Sequence, residues 1–120
     1  PTGIFKELSA QALISKIIPL YTRDHKREAI FSVMKEFNAN GITSYTEGAL
    51  GPGGDAFAGG VLGAECIEIY KDLLDQGKLT ARVNIMLLFG EYGALSLEDL
   101  QEGLSHYQIS EGLDNQWLRC

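Results

Sequence analysis

Two carboxylates stand where a parallel α/β protein could put them to chemical use, and a third lies near the start of the chain. Glu47 ends the run GITSYTE, Glu91 follows the apolar run that stops at Gly90, and Glu7 closes PTGIFKE. Loops after the C-terminal ends of parallel strands form the ligand face of such folds. Glu47 and Glu91 placed there could bind substrate or a metal; capping a helix or standing in solvent are the ordinary alternatives. Beyond Glu47 comes GPGGDAFAGG, residues 51–60, in which five of ten positions are glycine. Gly51, Gly53 and Ala56 match G-x-G-x-x-G/A, the spacing that lays a pyrophosphate on a helix N-terminus. The context argues against that chemistry. Pro52 removes an N–H that could face a phosphate, Asp55 would repel an anion, and about eight residues separate Ala56 from the next helix. No Gly-Lys-Ser/Thr follows, so the loop is not a P-loop. It reads either as a flexible connection or as a mobile loop shaping a pocket of another kind.

Other reactive side chains are sparse. The two histidines, His25 and His106, are far apart in sequence, and neither stands at a strand end. Both read as surface residues. H-x-H, H-E-x-x-H and G-x-S-x-G are absent. Lys6 beside Glu7 reads as a solvated pair. Cys66 shares a helical face with Ile69, Tyr70 and Leu73, as a buried free thiol does. With Cys120 it makes neither a disulfide framework nor a Cys-x-x-Cys site. A reducing, cytoplasmic setting is the default for such a chain.

The elements that must position these residues follow from hydrophobic period. PTGIFKE reads as a strand or an extended lead-in. Leu8, Ala12, Leu13 and Ile17 recur at helical spacing over 8–18, and Pro19 ends that helix. Thr22 and Asp24 offer N-caps for a second helix, with Ala29, Ile30, Val33, Met34 and Phe37 on its apolar face and Asn40-Gly41 closing it. Residues 41–47 read as a strand. A third helix is expected over 64–76, with Gly77 at its C-cap. TARVNIMLLFG, residues 80–90, is so continuously apolar that it predicts a parallel strand covered on both faces. Ser96 caps a fourth helix with Leu97, Leu100 and Leu104 turned inward and Glu98 in its first turn. The closing NQWLRC reads as the approach to a further strand.

The expected order is therefore β-α-α-β-α-β-α in a single 120-residue segment. Alternating strands and helices mean right-handed crossovers and a parallel sheet. The candidates are an arc of a (β/α)8 barrel or part of a doubly wound sheet. Composition is that of a soluble globular protein, 45% hydrophobic and 22% charged. A net charge of −6 without a basic cluster argues against nucleic acid. No run approaches the ~20 apolar residues of a membrane span. An opening on Pro1 rather than Met fits a piece of a longer chain or a chain cleaved from a tag.

Three stretches in order carry a family likeness. PTGIFKE, then GITSYTEGALGPGGD, then the helix end and strand DQGKLTARVNIMLLFGE resemble the amidohydrolase-3 family, the metal-dependent hydrolase branch that includes N-substituted formamide deformylase. DNQWLR is similar to the segment before that family's next strand. The resemblance implies an incomplete arc of a (β/α)8 TIM-type barrel acting on non-peptide, amide-type C–N bonds of a small molecule. It implies a divalent metal, zinc foremost, in the parent enzyme. The family's H-x-H would fall before Pro1, and its lysine, later histidines and catalytic aspartate beyond Cys120. No metal ligand maps onto this chain, which is expected to be inactive alone and to need the remainder of the barrel as partner. Such barrels are often homo-oligomers. Glu47, Gly51, Gly53 and Asp55, with Glu91 and Glu7, are the expected pocket residues.

Two other functions compete: a nucleotide- or phosphate-binding module using Gly51–Gly60, and a non-catalytic module that pairs through a sheet edge. The fragment reading makes a direct prediction. After dialysis, the purified 120-residue chain should hold less than about a tenth of an equivalent of zinc by elemental analysis. A full, tightly held equivalent would contradict it.

Overall fold

The computed structural model describes residues 2–90, 96–106 and 113–120, with backbone alone at Leu8, Ser9 and His106. Four helices and three strands alternate: α1 (Leu8–Ser15), α2 (Arg23–Ala39), β1 (Ser44–Leu50), α3 (Ala64–Asp75), β2 (Arg82–Leu87), α4 (Leu97–His106) and β3 (Leu118–Arg119). Short 3-10 turns at Pro52–Gly54 and Ala58–Gly60 fill the glycine-rich connection. The order is thus α-α-β-α-β-α-β. Residues 2–7 form no strand, because Gly3 at φ 70° and Glu7 at φ 69° break the extended run. The closing stretch expected to approach a strand supplies β3 instead.

All three strands are parallel in the order β1-β2-β3. The strands therefore advance in one direction, without a reversal among them. Right-handed crossovers of that kind bring successive helices to one face of the sheet. On that face Val83 and Ile85 of β2 and Leu118 of β3 are buried together with Cys66, Ile67, Ile69, Tyr70 and Leu73 of α3. α3 touches both the sheet and α2, and its buried residues form one broad stripe with Glu68, Asp72 and Asp75 on the opposite side. Across the α2–β1 contact, the rings of Phe37 and Tyr45 meet edge to face at 5.1 Å. No helix among the described residues is long and apolar enough to cross a membrane.

Helix ends were the most legible features. Thr22 accepts the His25 N–H at 3.3 Å and caps α2. Gly41 and Gly77 adopt φ 76° and 63°. The amide after each reaches back five residues, Ile42 to the Phe37 carbonyl and Lys78 to that of Leu73. Both are Schellman motifs, which need an achiral residue at the left-handed position. At α4, Ser96 and Asp99 cap reciprocally, Ser96 Oγ receiving the Asp99 N–H and Asp99 Oδ2 the Ser96 N–H. The acidic partner is therefore Asp99, one residue beyond the Glu98 singled out in the sequence.

Other expectations need correction. The Schellman turn uses residues 41 and 42 to leave α2, so β1 starts at Ser44 and runs on to Leu50. α1 stops at Ser15, four residues before Pro19, with Leu13 and Ile17 exposed. β2 alternates rather than lying between two layers: Val83 and Ile85 are buried, whereas Arg82 and Met86 are exposed. On α4, Leu97 and Leu104 are exposed; the helix instead approaches the Phe89 ring through Gly103. Each of these apolar residues needs a second surface to bury it, which the described residues do not provide. The contrast is measurable. Leu73→Ala, at a fully buried site, should cost about 2–5 kcal/mol in urea unfolding. Leu97→Ala should change stability by less than about 0.5 kcal/mol.

Candidate functional site

The glycine-rich connection lies flat on the end of β2. The Leu88 N–H donates to the Leu50 carbonyl at 2.9 Å, and the Gly53 N–H donates to the Leu88 carbonyl at 3.2 Å. Gly51, at φ 155°, donates to the Leu62 carbonyl at 2.9 Å. A Cβ at Gly51 would strike the Leu88 backbone, and one at Gly53 the Gly90 carbonyl. Glycine is required there by backbone lying on backbone. A hanging, open loop is not what these bonds describe.

Asp55 has a defined structural role. Its Oδ1 accepts the Ala64 N–H at 2.8 Å, capping α3 from nine residues away. The partial positive charge of that helix N-terminus already faces a carboxylate. The position a phosphate would take in a nucleotide-binding turn is therefore filled from within the chain, which accounts for the G-x-G-x-x-A spacing without a nucleotide.

Glu47 lies three residues before the end of β1, paired with Ile85. Alternation along the strand puts it on the same side as Tyr45, toward the helices rather than toward the far face of the sheet. Its Oε1 accepts the Gly48 N–H at 3.2 Å. There it lines a cavity of about 100 Å3 with Lys26, Ile30, Leu50, Cys66 and Tyr70. Lys26 keeps a side chain only 8% exposed, with Nζ 2.8 Å from Glu65 Oε2. That hydrogen bond holds the Glu65 carboxyl below its ordinary range. Arg23 bridges Asp72 at 2.7 Å and approaches Glu65 at 3.9 Å, and its guanidinium pKa is raised foremost by the Asp72 bond. Tyr45 Oη donates to Tyr70 Oη at 3.1 Å. Burial pushes both phenols up. It also pushes the Cys66 thiol up, and the thiol donates to the Val61 carbonyl at 3.3 Å. Cys66 is thus held as a protonated thiol, the wrong form for a nucleophile.

The other expected residues lie apart from this cavity. Glu7 is an exposed residue at the start of α1 and makes no side-chain capping bond. His25 is exposed in the first turn of α2, beside a groove of about 310 Å3. Glu91 lies outside the described residues, as does the His106 side chain.

Two arrangements lie outside the residues singled out in the sequence. Lys26 extends the apolar stripe of α2, four residues before Ile30; a cation at that phase of the period is the signal that marks it. The second is a row across the sheet face turned away from α3. Register sets Thr46 beside Asn84, and Asn84 beside Arg119. Thr46 and Arg119 are exposed and Asn84 is half-buried. These three side chains offer hydrogen-bond donors and acceptors on a face that carries exposed Met86 as well. No sequence signal gives that row, because it exists only once register is set.

A divalent metal does not fit the described residues: no group of three or more His, Cys, Asp or Glu is placed to hold one. No family model matches the chain, and no curated protein or solved structure matches it at a significant level.

The loop geometry predicts a sharp difference between neighbouring glycines. Gly53→Ala should destabilise the chain by about 1–3 kcal/mol through overpacking against Gly90. Gly48→Ala, with open space around its Cβ, should stay within about 0.5 kcal/mol of the parent in the same urea titration.

Proposed function

We propose that the chain is part of a metal-dependent hydrolase acting on amide-type C–N bonds, contributing an incomplete arc of a (β/α)8 barrel. The observation that carries this reading is the sheet itself. Three parallel strands advance in one direction, with apolar residues toward the helices and the polar row Thr46, Asn84 and Arg119 on the opposite face. In a barrel, that second face is the interior, and its upper end borders the substrate site. The ordered likeness to amidohydrolase-3 proteins adds the reaction class.

In this reading the metal ligands come from outside the chain, and the chain contributes pocket wall. Thr46 and Asn84 can hydrogen-bond an amide, and Arg119 can hold an acceptor oxygen. Gly51 and Gly53 keep the connection low over the end of β2, which leaves the rim accessible. The nucleotide-binding alternative is disfavoured by Asp55, whose carboxylate occupies the N-terminus of α3.

The test is an assay of the longest natural polypeptide containing these residues, beside the 120-residue chain, against N-formyl and N-acyl amines. The longer protein should release amine, lose that activity to 1,10-phenanthroline and regain it with zinc; the short chain should release none. Asn84→Ala should lower kcat/KM of the longer protein by about tenfold or more. Turnover that survives complete metal removal, or no turnover with any amide, would sink the reading.

A further inference from the structure

Away from the sheet, an open groove of about 560 Å3 runs along α2 and reaches the turn after α3. Asp24, Glu28, Phe31 and Lys35 recur along it at helical spacing, Arg27 stands beside them, and Lys78 comes from the turn. The two elements are tied at one atom. Arg27 Nη2 and Lys78 Nζ both donate to Gln76 Oε1, each at 3.0 Å. The two cationic nitrogens therefore stand within two hydrogen-bond lengths of each other.

A neutral amide oxygen holds them, not a carboxylate. Among the described residues Arg27, Lys35 and Lys78 form no ion pair, in a chain whose net charge is −6. Earlier on the same helix, Arg23 and Lys26 are paired with Asp72 and Glu65. Converging like charges repel, and an anion placed against both makes the interaction attractive. Donors remain for it: a guanidinium has five N–H groups and an ammonium three, and one of each goes to Gln76. The guanidinium fork matches two phosphate oxygens. A phosphate monoester, close to doubly charged at neutral pH, serves two cations where a carboxylate serves one. Phe31, 42% exposed in the same groove, offers its ring to the organic group. Asp24 and Glu28 repel further negative charge, so that group is uncharged or cationic.

We propose that this groove binds a small phosphate monoester, its phosphoryl oxygens on Arg27 and Lys78 and its organic group against Phe31. Lys35 adds a third positive charge along the groove. No residue of the sheet lines it, so the site does not depend on the hydrolase reading.

The 120-residue chain can be titrated with phenyl phosphate, inorganic phosphate and benzyl alcohol while the amide resonances of Gln76, Gly77 and Lys78 are followed by NMR. Phenyl phosphate should saturate in the millimolar range, about threefold tighter than inorganic phosphate. Benzyl alcohol should give no saturable shift. Arg27→Gln and Lys78→Gln should each weaken phenyl phosphate about three- to fivefold, as exposed charge pairs do. Lys16→Gln, at the end of α1 and outside the groove, should leave it unchanged. Phe31→Ala should bring phenyl phosphate to the level of inorganic phosphate. Shifts with phenyl phosphate that never saturate overturn the proposal. So do undiminished binding in the Arg27→Gln/Lys78→Gln double variant, an equal loss in Lys16→Gln, benzyl alcohol binding as tightly as phenyl phosphate, and a Phe31→Ala chain that binds like the parent.

Discussion

The fold rests on α3 lying across a parallel sheet. Parallel strands cannot be joined by a tight turn, so each pair needs a crossover that returns the chain to its starting edge. α3 is the crossover between β1 and β2. It buries Cys66, Ile67, Ile69, Tyr70 and Leu73 between the sheet and α2. Fully burying each large apolar side chain contributes about 1.5–3 kcal/mol, so this helix supplies much of the core. Its N-terminus is tied by Asp55 and its C-terminus by the turn at Gly77.

That placement constrains the glycine-rich connection. To enter α3 from the end of β1, the chain must cross the end of β2 at a separation that leaves no room for side chains. Gly51 and Gly53 meet that demand. A glycine-rich stretch between a strand and a helix is often taken as a sign of phosphate recognition, since bare backbone N–H groups serve both ends. Here the amides go to carbonyls of Leu62 and Leu88, and the helix N-terminus goes to Asp55. Two chemistries share one sequence pattern, and the hydrogen-bond partners separate them.

The polar groups divide between the two sides of the sheet. On the helix side, Lys26 and Glu47 enter an otherwise apolar layer, an arrangement that costs desolvation unless partners compensate. Glu65 compensates part of it for Lys26. On the other side, Thr46, Asn84 and Arg119 stand in a row with no layer over them among the described residues. One side is thus covered by helices, and the other is open among the described residues.

Local chemistry was legible from sequence. Thr22, Ser96, Gly41 and Gly77 announced the helix ends, because a cap satisfies backbone groups only a few residues away. The face of α3 was legible for the same reason: its period is a property of the helix alone. The parallel, alternating architecture also followed from element order. Long-range geometry was not legible. The apolar run of β2 suggested two covered faces, yet Met86 is exposed, because hydropathy records what could be buried and not what is present to bury it. Glu47 was expected at a strand end, but β1 runs on to Leu50 once residues 41 and 42 are spent on the turn. Asp55 could not be recognised as the cap of α3, since its partner is nine residues away and folding brings them together. The sequence alone determined the four helices, the two longer strands and the helix ends capped at Thr22, Gly41, Gly77 and Ser96, but not the end of α1 at Ser15 or the absence of a strand over residues 2–7. Tertiary structure alone decided register, and with it the neighbours of Glu47, Lys26, Asn84 and Arg119, because a side chain's partners across a sheet are set by the packing of distant segments.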